Sequence, residues 1–190
     1  KIGGAMTAGL TLPILGVAAA SVKMANDLNK SLANVGSLGV GAERLKEMKK
    51  GIQDLSIETA QSTDDIAAGM YEVVSAFGDG ADAMKILRIN SKAAKAGLAS
   101  IPDTIKMTSA VTKAWGDTSA EAVQHVADLG LKTVELGQTT LPELATSVQG
   151  VTLMSKNLSI TQEELFAVMA AGTGVIGSAS EVATKLRGAQ

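Results

Sequence analysis

Four glycines, Gly78, Gly97, Gly116 and Gly137, recur at intervals of 19, 19 and 21 residues, each closing a stretch whose apolar residues keep helical spacing. A glycine in that position is where a helix places the left-handed residue that stops it. Stops every twenty or so residues confine the chain to short helices and point to a compact helical body. Start signals lie between the stops. Thr118-x-x-Glu121, Thr140-x-x-Glu143 and Thr161-x-x-Glu164 each match the capping box, in which a hydroxyl and a carboxylate satisfy the free amide donors of a helix start. Ser62-Thr63-Asp64-Asp65 is a looser version. Ser100-Ile101-Pro102-Asp103 and Thr140-Leu141-Pro142-Glu143 share the order cap, apolar, Pro, acid, forty residues apart. Proline is tolerated in a first turn, where its missing amide would be unpaired anyway. The echo hints at a duplicated helical hairpin.

Between these marks the periodicity is that of amphipathic helices. Leu45, Met48, Ile52 and Leu55 share a face, as do Ile66, Met70, Val73 and Phe77, then Met107, Val111 and Trp115, and later Leu144, Val148 and Val151. The pattern predicts helices over 42–60, 63–77, 80–96, 101–115, 119–136, 141–156, 162–171 and 179–188, and no sheet. Only three prolines occur, and aromatics make up 2% of the chain, so the core is built of small aliphatic layers that suit closely spaced helices. Gly51, Gly69, Gly130 and Gly150 fall inside predicted helices, where each costs about 1 kcal/mol against Ala; close helix approach is one reason to place them there. The expected fold is all-α: a bundle of short antiparallel amphipathic helices.

In front of that bundle stands a different region. From Ile2 to Val22 there are 21 consecutive uncharged residues between Lys1 and Lys23. That is long enough for a membrane-spanning helix of about 20 residues, and Leu10, Leu12, Pro13, Ile14, Leu15 and Val17 are the candidate membrane-inserting residues. Gly3, Gly4, Gly9, Gly16 and the central Pro13 lower its hydrophobicity, so burial against partner chains is the competing expectation. The organisation expected is an apolar helix and following helical segment over 1–35, a Gly-rich linker over 36–41, and a helical core over 42–190. With no initiator Met at Lys1, the chain is expected to be a fragment of a longer one.

The sequence holds no cooperating pair of catalytic groups. There is no cysteine, hence no disulfide and no thiolate metal site. His125 is the only histidine, mid-helix between Gln124 and Val126, and reads as a structural or surface residue. Glu121, Glu143 and Glu164 read as cap carboxylates, and Asp64 and Asp65 as first-turn acids favoured by the helix dipole. No phosphate-binding glycine loop or nucleophile elbow occurs. A net charge of −2 and scarce aromatics argue against nucleic-acid binding. No cofactor, metal or small-molecule substrate is expected.

The ordered set Ile52-Gln53-Asp54-Leu55-Ser56, Ser62-Thr63-Asp64-Asp65-Ile66, Tyr71-Glu72-Val73-Val74-Ser75-Ala76, Lys92-Ala93-Ala94-Lys95-Ala96-Gly97, Ala114-Trp115-Gly116, Gly137-Gln138-Thr139-Thr140-Leu141-Pro142-Glu143-Leu144-Ala145 and Ala183-Thr184-Lys185-Leu186-Arg187 resembles the core region of phage tail tape-measure proteins. The resemblance covers about residues 40–188; Phe77 departs from the small residues expected there. It implies a structural, non-enzymatic role in the lumen of a phage tail: setting tail length, scaffolding tail-tube assembly in the host cytoplasm, and leaving ahead of the DNA to help genome passage across the host inner membrane. The partners it implies are the tail-tube protein, tail-tip or baseplate hub proteins, assembly chaperones and further copies of the chain as a trimer or hexamer. From the residues alone, a pore-forming or toxin-like helical membrane protein is the alternative.

Overall fold

A computed structural model describes residues 25–188. These are helical, with no strand among them: α1 over 25–36, α2 (Ala42–Thr59), α3 (Thr63–Phe77), α4 (Ala83–Ala96), α5 (Ile101–Trp115), α6 (Ala120–Leu136), α7 (Leu141–Gln149), α8 (Thr152–Asn157), α9 (Gln162–Ile176) and α10 (Ala179–Gly188). The bundle resolves into two layers of stacked hairpins. In one layer α3 packs on α5, α5 on α7 and α7 on α10; in the other α2 packs on α4, α4 on α6 and α6 on α9. α1 lies along α3, the two lining a groove between Ser31, Asn34, Ala67 and Tyr71. Each hairpin thus meets mainly its neighbours in sequence, which is the construction of a repeat protein.

The repeat is written in the caps. Ser62, Ser100, Thr140 and Ser178 precede α3, α5, α7 and α10, and each side chain accepts the backbone N–H three residues on, from Asp65, Asp103, Glu143 and Glu181. These hydroxyls are 38, 40 and 38 residues apart. The forty-residue echo of the sequence is therefore two members of a longer series.

Two apolar clusters lie between the layers. The first joins Leu28, Leu32 and Val35 of α1 to Met48, Ile52 and Leu55 of α2 and to the inner faces of α3 and α4. The second joins Leu141, Leu144 and Val148 of α7 to Leu165, Phe166 and Met169 of α9 and Val182 of α10. Ile101 and Ile105 of α5 belong to the first and Met107 and Val111 to the second. Val40 is buried in the first cluster as well, so the Gly-rich stretch 36–41 is the turn from α1 to α2, with cluster residues on both sides of it.

Several expectations need correcting. Of the four stop glycines, Gly116 is left-handed (φ 85°, ψ 12°) and Gly78 has positive φ, but Gly97 (φ −94°) and Gly137 (φ −101°) do not. The left-handed turn after α4 falls on Leu98 (φ 51°) instead. Gly97 is small because Leu141 packs onto it, and Gly137 because the carbonyls of Thr133 and Ala170 lie 2.9 and 3.0 Å from where a Cβ would sit. The expected helix 141–156 breaks at Gly150 and Val151, where the amides turn back tightly onto Ser147 and Val148. α9 runs past 171 to Ile176, because Gly172 lets Val182 of α10 approach and the left-handed stop is Gly177. Among the mid-helix glycines, Gly51, Gly69 and Gly130 do face close neighbours, Met84, Ile101 and Met107.

Replacing Gly137 by Ala drives a methyl into two backbone carbonyls and lowers stability by about 1–3 kcal/mol. Gly174, helical with open space around it, gains about 0.5 kcal/mol on the same change from reduced chain entropy. Urea unfolding midpoints moving in opposite directions for the two variants check this; equal shifts refute it.

Candidate interaction surfaces

Among the described residues no group of His, Asp and Glu could hold a metal ion. Four buried polar side chains form a seam between α4 and α5. Thr104, Thr108 and Thr112 line up on α5 against Asn90 of α4, all fully buried. The Asn90 amide donates to the Ile86 carbonyl at 3.0 Å, Thr108 Oγ1 donates to Asn90 Oδ1 at 3.0 Å, and Thr112 Oγ1 donates to the Thr108 carbonyl at 2.8 Å. Satisfied hydroxyls with no titratable neighbour lock helices together and carry no reaction. His125 is half exposed on α6 and bonds Glu163 of α9 at 2.7 Å. That contact ties two neighbouring helices. It borders an open groove of about 560 Å³ between Trp115, Ile160 and Glu163.

The candidate membrane-inserting residues Leu10, Leu12, Pro13, Ile14, Leu15 and Val17 lie outside the described residues. No single helix among the described residues is long and apolar enough to cross a membrane.

The cap residues divide. Thr161 and Glu164 form the full capping box: Thr161 Oγ1 accepts from Glu164 N at 3.1 Å and Glu164 Oε2 from Thr161 N at 2.8 Å. The expected cap Thr118 is displaced by Ser119, which accepts from Ala122 N at 3.2 Å. The cause is Asp117, whose carboxylate takes the Ser119 N–H at 2.9 Å and so sets the turn one residue later; that bond also holds the Asp117 carboxyl below its ordinary value. Glu121 then points to Lys85 of α4 rather than back to the cap. Thr140 caps α7, but Glu143 leaves its own helix start. Its Oε2 accepts from Thr139 at 3.2 Å, and its Oε1 accepts the Ser178 hydroxyl at 3.0 Å and the Ala179 N–H at 2.9 Å. It therefore caps α10, the next helix of its layer. No sequence spacing reveals a partner 36 residues away.

On the outer face of the second layer, charged pairs bridge successive helices. Lys85, Arg88 and Lys92 of α4 reach Glu121 of α6 and Glu58 of α2. The Lys92 hydrogen bond, then the nearby Arg88, hold the Glu58 carboxyl below the usual range, and Lys85 does the same to Glu121. Lys95 donates to the Thr59 carbonyl at the end of α2. α9 joins this pattern only in its first turn, through Glu163 and His125 of α6. After Glu164 its exposed face carries Ala167, Val168, Ala171, Gly174 and Val175, and no charge occurs from Leu165 to Ser180. Elsewhere Leu98, Ile57 and Leu153 are the large apolar side chains most open to solvent.

The sequence model of a family described as phage-related minor tail protein matches residues 49–189. The tape measure protein of Pneumococcus phage Dp-1 is similar to this chain, 28% identical over 195 residues that cover 99% of the chain and 16% of that protein. The chain therefore spans about a sixth of the length of that relative. No solved structure matches it.

Substituting Glu143 by Ala removes an acceptor shared by a hydroxyl and the first amide of α10. The expected loss is about 1–2 kcal/mol, concentrated as faster amide exchange in α10 with α3 and α4 unchanged. Uniform acceleration across all helices would contradict the local role.

Proposed function

The chain belongs to the phage-related minor tail protein family, that of phage tail tape-measure proteins, and on that premise we propose that it is a non-enzymatic part of a virion tail that helps set tail length. In this reading the parent protein lies in the tail lumen and the tail-tube protein polymerises around it from a tip or baseplate hub, in the host cytoplasm and with assembly chaperones. Several copies, three or six, lie side by side. On infection the protein leaves ahead of the DNA, and the apolar stretch 2–22 enters the host inner membrane. The observation that carries the reading is the family match over three quarters of the chain, joined to an architecture in which Asn90 and the buried threonines of α5 are occupied in holding helices together. A quasi-one-dimensional stack suits a ruler, because adding or removing a repeat changes length without disturbing distant contacts.

An in-frame deletion of residues 25–188 in the parent gene, with packaging of the shortened protein checked, tests the ruler role. If the segment lies extended as continuous helix in the tube, the tail shortens by about 250 Å at 1.5 Å per residue. If it stays stacked, four helix-to-helix steps of 8–10 Å give a loss on the order of 40 Å. Electron micrographs showing full-length tails around a packaged deleted protein would rule the role out.

The membrane step has its own readout. Dye release from liposomes by the chain is expected to fall several-fold with Leu12→Asp or Ile14→Asp, since a carboxylate at mid-bilayer costs about 2.5–3.5 kcal/mol. Release that is absent, or unchanged by both substitutions, removes the membrane role from this segment.

A further inference from the structure

α9 is apolar on a side that none of the described residues covers. Its Phe166, Ala170 and Thr173 face α6: the Phe166 carbonyl accepts Thr133 Oγ1 at 3.3 Å, and Thr173 Oγ1 accepts the Gln138 N–H at 3.2 Å. At 3.6 residues per turn, Val168, Ala171 and Val175 lie within about 40° of the opposite side of the helix.

The same positions on α6 are covered. Counted from the caps Ser119 and Thr161, Val126 corresponds to Val168 and Thr133 to Val175. Val126 and Thr133 are 0% and 3% exposed, sealed by the hairpin that follows; Val168 and Val175 are 44% and 88% exposed. Ile89, the matching residue of α4, is 9% exposed under α6. The face of α9 is built like an interior junction of the stack.

What would cover it follows from α10. Ser178 starts α10 in the same register as Ser62, Ser100 and Thr140 start the earlier helices of that layer, and α10 packs on α7 as α7 packs on α5. α3 and α5 are each followed by a second-layer helix that packs on its predecessor in that layer, and α7 by α8 and then α9, which packs on α6. The aligned region is 16% of the length of the similar tape measure protein, so most of that protein lies outside it. We propose that Val168, Ala171 and Val175 are the docking face for the second helix of the hairpin that α10 begins, supplied by the parent chain beyond α10. The arriving helix presents small and aliphatic residues to this face, because no charge on α9 between Leu165 and Ile176 could pair with one.

Amide exchange read by mass spectrometry on the full-length parent protein and on the 190-residue chain tests this. Peptides over 167–176 are expected to exchange at least tenfold more slowly in the parent, independent of protein concentration. Val175→Glu should abolish that difference in the parent while leaving the 190-residue chain unchanged. Equal exchange in the two proteins overturns the proposal, as does parent protection that fades on dilution, which would make the occupant a second copy. Protection that survives Val175→Glu also overturns it. If Val175→Glu speeds exchange over α3–α5 as well, Val168→Ser serves as the milder variant with the same expected loss. The test is read on purified protein, so a segment that stacks but does not set tail length passes here and fails the deletion test.

Discussion

An inner helix of a stacked array must be apolar on two sides at once, and most of this structure follows from how the chain meets that requirement. A single stripe of about 100° suffices for a helix that covers one core. α5 and α6 each serve two clusters: α6 gives Ala120, Val123 and Ala127 to one and Val126 to the other. On α5 the sector between its two apolar faces is filled by Thr104, Thr108 and Thr112. Threonine suits the place because its hydroxyl bonds the preceding turn of its own helix, as Thr104 does with Ile101 and Thr112 with Thr108. The methyl and the short side chain are then free to pack closely. Asn90 reaches into the same sector and fixes how α4 lies against α5. A polar group buried this way is tolerated only where its partners are in place, so it selects one register of the two helices over its neighbours.

That double burial also explains which parts of the fold were legible in the sequence. Hydroxyl-acid starts depend on residues three apart, so α3, α5, α7 and α9 begin where the spacing places them. Helix ends were less legible. Gly97 and Gly137 look like left-handed stops, yet their backbones are ordinary, and they are small because Leu141 and the carbonyls of Thr133 and Ala170 press against them. A glycine forced by handedness and a glycine forced by a neighbour are the same letter. The break between α7 and α8 was hidden for a related reason: Val148, Val151 and Thr152 keep a helical spacing that remains apolar across the kink. Thr118 lost its cap role to Ser119 through a single hydrogen bond donated by the Ser119 N–H to Asp117, a competition between adjacent hydroxyls that spacing cannot rank.

The candidate surfaces were less visible still. Hydroxyl-to-acid spacing implies local caps, and for Thr161 and Glu164 the cap is local. Glu143 acts between repeats, holding the first amide of α10 from the start of α7, which only the stacking of those two helices reveals. The period itself was half visible as one pair of matching sequences. Ser62 and Ser178 complete the series, but Ser62 lacks the proline and Ser178 is followed by Ala179-Ser180. Sequence similarity between repeats is carried by one hydroxyl and one acid, because those two groups set the start of a helix while the layers between tolerate any aliphatic residue of fitting volume.

Stacking of this kind brings the helices together in pairs along each layer. Each junction joins two helices to the two that follow, and many of its polar groups serve in caps, in the threonine seam and in the pairs that bridge α2, α4 and α6. What the stack does provide is extension in one direction at nearly constant cost per repeat, since every junction repeats the last. Length is then set by how many hairpins the chain encodes, and stability at each point by the two junctions beside it. A helix such as α9, packed on α6 along one side and with Val168 and Val175 exposed along the other, has the two apolar sides that such a series asks of its inner members.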